Sequence, residues 1–191
     1  MKVIPLLALP LLLAACGGTT STPQAQGPPS TTGTKQPCSK VNGGRSAQSP
    51  SKPTETMLLT DVKVDASGCT DRVIFDFRSS AGAEPGFTVR YRPADEAQTE
   101  DASGRHIPIA GKAFLVVRFE PAATADITKP ELEITYKGPR SIKPAGLRWV
   151  RQVTKTGDFE AVLTWSIGLS QERPFHVITS GSPARVTIEF G

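Results

Sequence analysis

At 191 residues, 38% of them hydrophobic and with no stretch of 18 apolar residues, the chain is bounded to one domain plus a tail, and a membrane-spanning helix is excluded. Its formal charge of +4 does not point to nucleic acid, because residues 57–191 carry 17 basic and 17 acidic side chains. The excess lies upstream, where Lys35, Lys40, Arg45 and Lys52 face Glu55 alone and Lys2 supplies the remainder.

The chain opens with one charge, Lys2, an 11-residue apolar run from Val3 to Leu13, and then Ala14-Ala15-Cys16. The run is too short to cross a hydrocarbon core of about 30 Å as a helix. It has the layout of a secretory signal peptide. Leu13-Ala14-Ala15-Cys16 resembles a bacterial lipobox. The resemblance implies cleavage before Cys16, acylation of its thiol by diacylglycerol with chains such as palmitate, and a mature protein held by its N-terminus on the extracytoplasmic face of a membrane. Residues 1–15 are then the signal, and 16–56 the lipidated cysteine and its linker.

Gly, Ser, Thr, Pro and Gln dominate 17–56, without one aromatic residue, and Val41 is its only sizeable aliphatic side chain. Such a composition cannot bury enough apolar area to offset its ordering entropy, so a disordered linker is expected. Roughly 40 residues of this kind span about 30–40 Å. Its basic balance biases the segment toward anionic headgroups. Cys38 and Cys69 remain after Cys16 is set aside. An exported chain matures where disulfides persist, and one pair allows one intramolecular connectivity. A Cys38–Cys69 bridge is expected; two free thiols, or pairing between chains, are the alternatives.

From Met57 the pattern turns to period two. Val62 and Val64 alternate with Lys63 and Asp65; Val73, Phe75 and Phe77 with Ile74, Asp76 and Arg78; Phe87, Val89 and Tyr91 with Thr88, Arg90 and Arg92. Further strands are expected at 113–119, 132–136, 147–153, 158–168, 174–179 and 185–190. The 158–168 segment reads as one long central strand, with Phe159, Ala161, Leu163, Trp165 and Ile167 on its buried face. Turn signals lie at Ser67-Gly68, Glu84-Pro85-Gly86, Gly138-Pro139, Thr156-Gly157-Asp158 and Gly181-Ser182-Pro183. The acidic stretch 93–111, with Asp95, Glu96, Glu100 and Asp101, reads as a long loop. Around eight short strands without an amphipathic helix predict an all-β fold, an antiparallel β-sandwich over 57–191.

Four strings then carry a resemblance. They are Gly68-Cys69-Thr70-Asp71-Arg72-Val73-Ile74-Phe75, Pro85-Gly86-Phe87-Thr88-Val89-Arg90-Tyr91, the stretch from Gly157-Asp158-Phe159 to Ile167-Gly168-Leu169, and the end from Pro174-Phe175-His176-Val177 to Glu189. In this order they resemble the AMIN-like domain of bacterial lipoproteins over about 57–191. The resemblance implies an extracytoplasmic β-sandwich and wall binding, and brings no catalytic residues. Asp71-Arg72, at a strand start, reads as an ion pair or a turn cap.

The residues themselves ask for no enzyme and no cofactor. A zinc site needs several ligands together, and neither His106 nor His176 has a second ligand at helical or hairpin spacing. There is no Gly-x-Ser-x-Gly elbow and no P-loop. Cys69 is read as a disulfide or an inert thiol rather than a nucleophile beside a histidine. A raised-pKa carboxylate is not expected in the solvated 95–101 loop. One distribution stands out: Lys137, Arg140, Lys143, Arg148, Arg151 and Lys155 occur with no acidic residue among them, and Tyr136 and Trp149 lie in or beside the run. Arginine and lysine hold carboxylates and phosphates, and an exposed aromatic stacks on sugars. Lys137, Arg140, Lys143, Arg148, Trp149 and Arg151 are therefore the candidate site. The alternative is a solvated face paired with the acidic 95–101 loop, with Trp149 buried. The expected role is a non-catalytic, lipid-anchored binding module for peptidoglycan, an anionic wall polymer or an envelope protein.

Overall fold

Period-two alternation becomes thirteen strands and one short helix among the described residues, which are 41–79 and 82–191 of this computed structural model. In chain order they are β1 (Ser46–Gln48), β2 (Met57–Ser67), β3 (Thr70–Arg78), β4 (Phe87–Arg92), α1 (Ala94–Ala97), β5 (Ala113–Phe119), β6 (Ala122–Ala123), β7 (Ala125–Asp126), β8 (Glu133–Ile134), β9 (Ser141–Ile142), β10 (Val150–Phe159), β11 (Val162–Leu169), β12 (Phe175–Gly181) and β13 (Ala184–Phe190). Eight of these strands have six residues or more, and the other five have two or three.

They form two main sheets. One runs β1-β4-β5-β11-β10-β9, the other β12-β13-β3-β2-β6, and β7-β8 makes a separate hairpin. Every pairing is antiparallel except β2 with β6. The inward rows close one core. Along β13, Ala184, Val186, Ile188 and Phe190 are buried while Arg185, Thr187 and Glu189 face out. At its centre Phe75 meets Phe119 at 4.9 Å and Trp165 at 5.8 Å, and Tyr136 stands edge-on to Trp165 at 5.6 Å. Burying each such side chain stabilises the fold by about 1.5–3 kcal/mol relative to exposure.

The 158–168 segment is not one strand. β10 ends at Phe159, Glu160 and Ala161 take φ of 51° and 58°, and β11 starts at Val162. Both turn residues with positive φ make the tight hairpin whose twist matches antiparallel strands. Glycine was expected to mark the turn, at Thr156-Gly157-Asp158. Gly157 instead sits at a bulge within β10, where a Cβ would meet the Asp101 carboxylate at 2.1 Å. Leu163, Trp165 and Ile167 are core as expected, but Phe159 lies at the hairpin tip and is 59% exposed.

Two other segments differ from the sequence reading. The fold starts before residue 57, since β1 pairs with β4 and Gly44 exchanges backbone hydrogen bonds with Phe175 at 3.0–3.1 Å. The low hydrophobicity of this piece hid it: it contributes backbone pairing rather than apolar area. The acidic stretch 93–111 is a strap, not a free loop. It packs Ala97 and Ile109 on Phe114, making a second small core on the outer face of the six-stranded sheet. Gly168 permits this, because a Cβ there would meet the Ala110 carbonyl oxygen at 2.0 Å. Ser166 and Thr164 tie the strap down by donating to the Ala97 carbonyl at 2.7 Å and the Asp101 carboxylate at 2.6 Å.

Candidate functional site

The basic run of 137–155 divides into two groups along the β9–β10 edge. Lys137, Arg140, Lys143 and Lys155 lie around β9, because Lys155 donates its backbone N–H to the Arg140 carbonyl at 2.9 Å. Arg148, Trp149 and Arg151 lie at the start of β10. The residue that places this second group is Asp71. Its carboxylate is buried and accepts the backbone N–H groups of Arg148, Trp149 and Val150, the first at 3.2 Å and the last at 2.9 Å. Asp71 is thus a cap on the turn into β10 and links the two sheets. Its neighbour Arg72 makes a bidentate pair with Asp65 at 2.8 and 3.1 Å.

The two groups differ in what their charges already touch. Arg151 donates to the carbonyls of Leu147 and Arg148 at 2.8 and 3.1 Å. Trp149 is half-buried, with the Arg173 guanidinium 3.6 Å and that of Arg148 4.8 Å from its ring centre. This ring therefore stacks on the protein's own cations. Tyr136 is buried and donates its hydroxyl to the Pro139 carbonyl at 2.8 Å. Burial, with Asp61 adding to it, pushes its phenol up to about 12. It supports the core, and one edge of it lines a cleft with Arg140 and Lys155.

Around β9, Arg140 reaches the Glu100 carboxylate and donates Nε to the Lys155 carbonyl at 3.1 Å. Lys155 pairs with Asp158 at 3.1 Å. The pairing of the basic run with the acidic stretch is thus realised at Glu100. The Ser103 hydroxyl, then the Arg140 guanidinium, hold the Glu100 carboxyl down at about 2. Lys137 and Lys143 are exposed and have no carboxylate partner among the described residues. Arg140 and Lys143 line one cleft of about 430 Å³ with Ser141, Gln152 and Thr154. The polar groups there are fixed: the Gln152 amide donates to Ser141 and Thr154, both at 2.9 Å, and accepts from the Ala110 N–H at 2.9 Å. Two cations over fixed hydroxyls suit an anion carried on a sugar or a peptide.

Sequence reasoning missed a second charged groove. Arg90, Arg92 and Arg118 line about 750 Å³ on the outer face of β4 and β5, facing Asp95 and Glu96 on the strap. Arg92 pairs with Glu96 at 3.2 Å and Arg118 with Glu120 at 3.3 Å. Arg90 has no such partner among the described residues. Its position was legible as an outward one, but the wall opposite it was not.

No group of three or more His, Cys, Asp or Glu among the described residues is placed to hold a metal. His106 and His176 are both exposed. Cys69 is disulfide-bonded, so it supplies no thiolate. Cys16, Cys38 and the apolar run of 3–13 lie outside the described residues, within which no helix is long and apolar enough to cross a membrane. The family model of the AMIN-like domain matches residues 57–191. No curated protein matches this chain, and no solved structure does.

Proposed function

The chain belongs to the AMIN-like domain family, and on that premise we propose that it is a lipid-anchored module that binds the cell wall through the cleft beside β9. The family places it among extracytoplasmic, envelope-associated and generally non-catalytic binding domains. The observation that carries the finer reading is the cleft itself. Lys143 keeps its charge unpaired next to Arg140, over hydroxyls already held in place. Cations fixed beside a strand edge keep their spacing, so little ordering is needed when a ligand arrives. The ligand class is an anionic wall component, either peptidoglycan carboxylates or the phosphates of a wall polymer.

In this reading residues 1–15 are removed, Cys16 carries the acyl chains, and the domain stands off the membrane on its linker. The disulfide joins Cys38 to Cys69. Val41 supports that pairing, since it lies against Gly191 at the end of β13, beside the β2–β3 turn that holds Cys69. Non-reducing peptide mapping of envelope material should find the two peptides joined, and a Cys38 found free overturns the pairing.

Sedimentation with purified sacculi tests the binding. The Cys16→Ser chain should bind at low salt and lose binding as salt rises, because exposed charges are screened beyond about 8–10 Å. Replacing Lys137 and Lys143 by Ala should weaken binding more than replacing Lys35 and Lys40. Equal binding by parent and Lys137→Ala/Lys143→Ala protein removes the cleft from the reading.

A further inference from the structure

Among the described residues five large hydrophobic side chains are exposed, and four of them gather on two neighbouring hairpins: Ile127, Leu132 and Ile134 on β7–β8, and Phe159 at the tip of β10–β11. Ile127 is 81% exposed. Ile127 and Phe159 line one cavity of about 930 Å³, with Leu58, Ala123, Ala125 and Ala161. Contiguous apolar surface of this kind marks an interaction site. The turn beneath Phe159 adds a second observation. Glu160 and Ala161 hold positive φ, a conformation that favours Asn and Gly, and the Ala161 carbonyl is pinned by the Ala122 N–H at 2.7 Å. Such backbone persists where surrounding structure enforces it, often at binding sites.

The rim is predominantly acidic. Glu55, Asp126, Asp158 and Glu160 line the cavity, and Glu131 and Glu133 follow on the β7–β8 hairpin. The cations among them are Arg78, Lys129 and Lys155, and each is already engaged: Arg78 with Asp126 and Glu133, Lys129 with Glu133, and Lys155 with Asp158. Glu131 and Glu160 have no partner among the described residues. The place matters too. The chain enters the domain at Gly44, beside the first residue of β12, while the cavity lies at Leu58 and Arg78, the opposite end of the same sheet.

We propose that this cavity docks a cationic, apolar peptide segment of a partner protein. Apolar side chains of the segment seat between Ile127 and Phe159, and its lysines or arginines meet the carboxylate rim. An anionic lipid surface would be repelled by that rim. A second copy, packed face to face, would bring carboxylates against carboxylates. This inference is independent of the wall-binding cleft.

Fluorescence anisotropy on the Cys16→Ser chain tests it, with a labelled decapeptide of alternating Leu and Lys as the probe. Binding should be about tenfold weaker for a Leu/Glu or a Ser/Lys decapeptide, and about tenfold weaker to Ile127→Ser/Phe159→Ser protein. Glu131→Gln/Glu160→Gln should weaken it less and reduce its salt dependence. Lys137→Ala/Lys143→Ala should leave it unchanged, which separates this inference from the wall reading. All of these side chains are exposed, so the variants should keep the parent's circular dichroism. Equal binding by parent and Ile127→Ser/Phe159→Ser protein overturns the proposal. So does flotation of the Cys16→Ser chain with vesicles of phosphatidylcholine and phosphatidylglycerol that Ile127→Ser/Phe159→Ser abolishes, which assigns the patch to lipid. A parent dimer that the same double variant dissolves assigns the patch to a second copy and overturns it as well.

Discussion

The two sheets present different outer faces to solvent. On the five-stranded sheet the outward residues neutralise one another across strands: Lys63 bonds Asp76 at 3.1 Å, Arg185 bonds the same carboxylate, and Arg72 pairs with Asp65. Burial pushes the Asp76 carboxyl up, but the Arg185 and Lys63 hydrogen bonds outweigh it and hold it below the usual range. On the six-stranded sheet the outer face is half covered by the strap and half left as the Arg90 groove. A face whose charges are already paired has little left to recognise with. A face built from a strap and one cation without a carboxylate partner among the described residues, Arg90, is stabilised by apolar contacts instead and keeps that charge available.

The comparison breaks first at Phe114. If the strap depends on the small outer core, Phe114→Ala should cost about 4 kcal/mol and lower Tm by about 10 °C. Urea unfolding with hydrogen exchange across 93–111 checks both the size of the loss and its place. A cost under about 1 kcal/mol would mean that the strap is held by its polar ties alone. Acid sharpens the comparison next. Glu100 has a depressed carboxyl pKa in the folded state, so its contribution is present above about 4.5 and is lost as pH falls toward about 2. Thermal melts between pH 5 and 2 should show the parent losing stability faster than Glu100→Gln protein, and parallel curves would disprove the assignment. The smallest effect belongs to the ion-paired face. Arg185→Ala should cost less than about 1 kcal/mol, because Arg185 is partly exposed and solvent screens the pair.

Much of this fold could be read from alternation. Six of the eight long strands contain the alternating segments read from the sequence, β10 and β11 being the exceptions, and Phe75 and Trp165 are core residues as expected. What was not legible was long-range or carried no apolar signal. β1 adds hydrogen bonds from a Ser/Gln-rich stretch. The strap hides three apolar side chains, Ala97, Ile107 and Ile109, among acidic ones, too few to register as a period. The β10–β11 turn uses Glu and Ala where local chemistry argues for Gly. In the candidate site, the basic run was visible as composition, but its division into two groups depends on Asp71, 77 to 79 residues upstream of the turn it caps. Trp149 was legible as an aromatic beside cations. That Arg173 lies over its ring required the chain leading into β12 to return to the start of β10.

The entry of the chain at Gly44 and the exposed hairpins near Leu58 lie at opposite ends of strands that run nine residues in β3, or about 30 Å. A pull between a tether at one end and a ligand held at the other would act along the strands. Ladder hydrogen bonds lie perpendicular to that line, so the load falls on whole rows of them together rather than on one bond at a time. Such a domain resists in shear, where peeling from an end would open it bond by bond. The placement of entry and hairpins gives the molecule the mechanics of a strut.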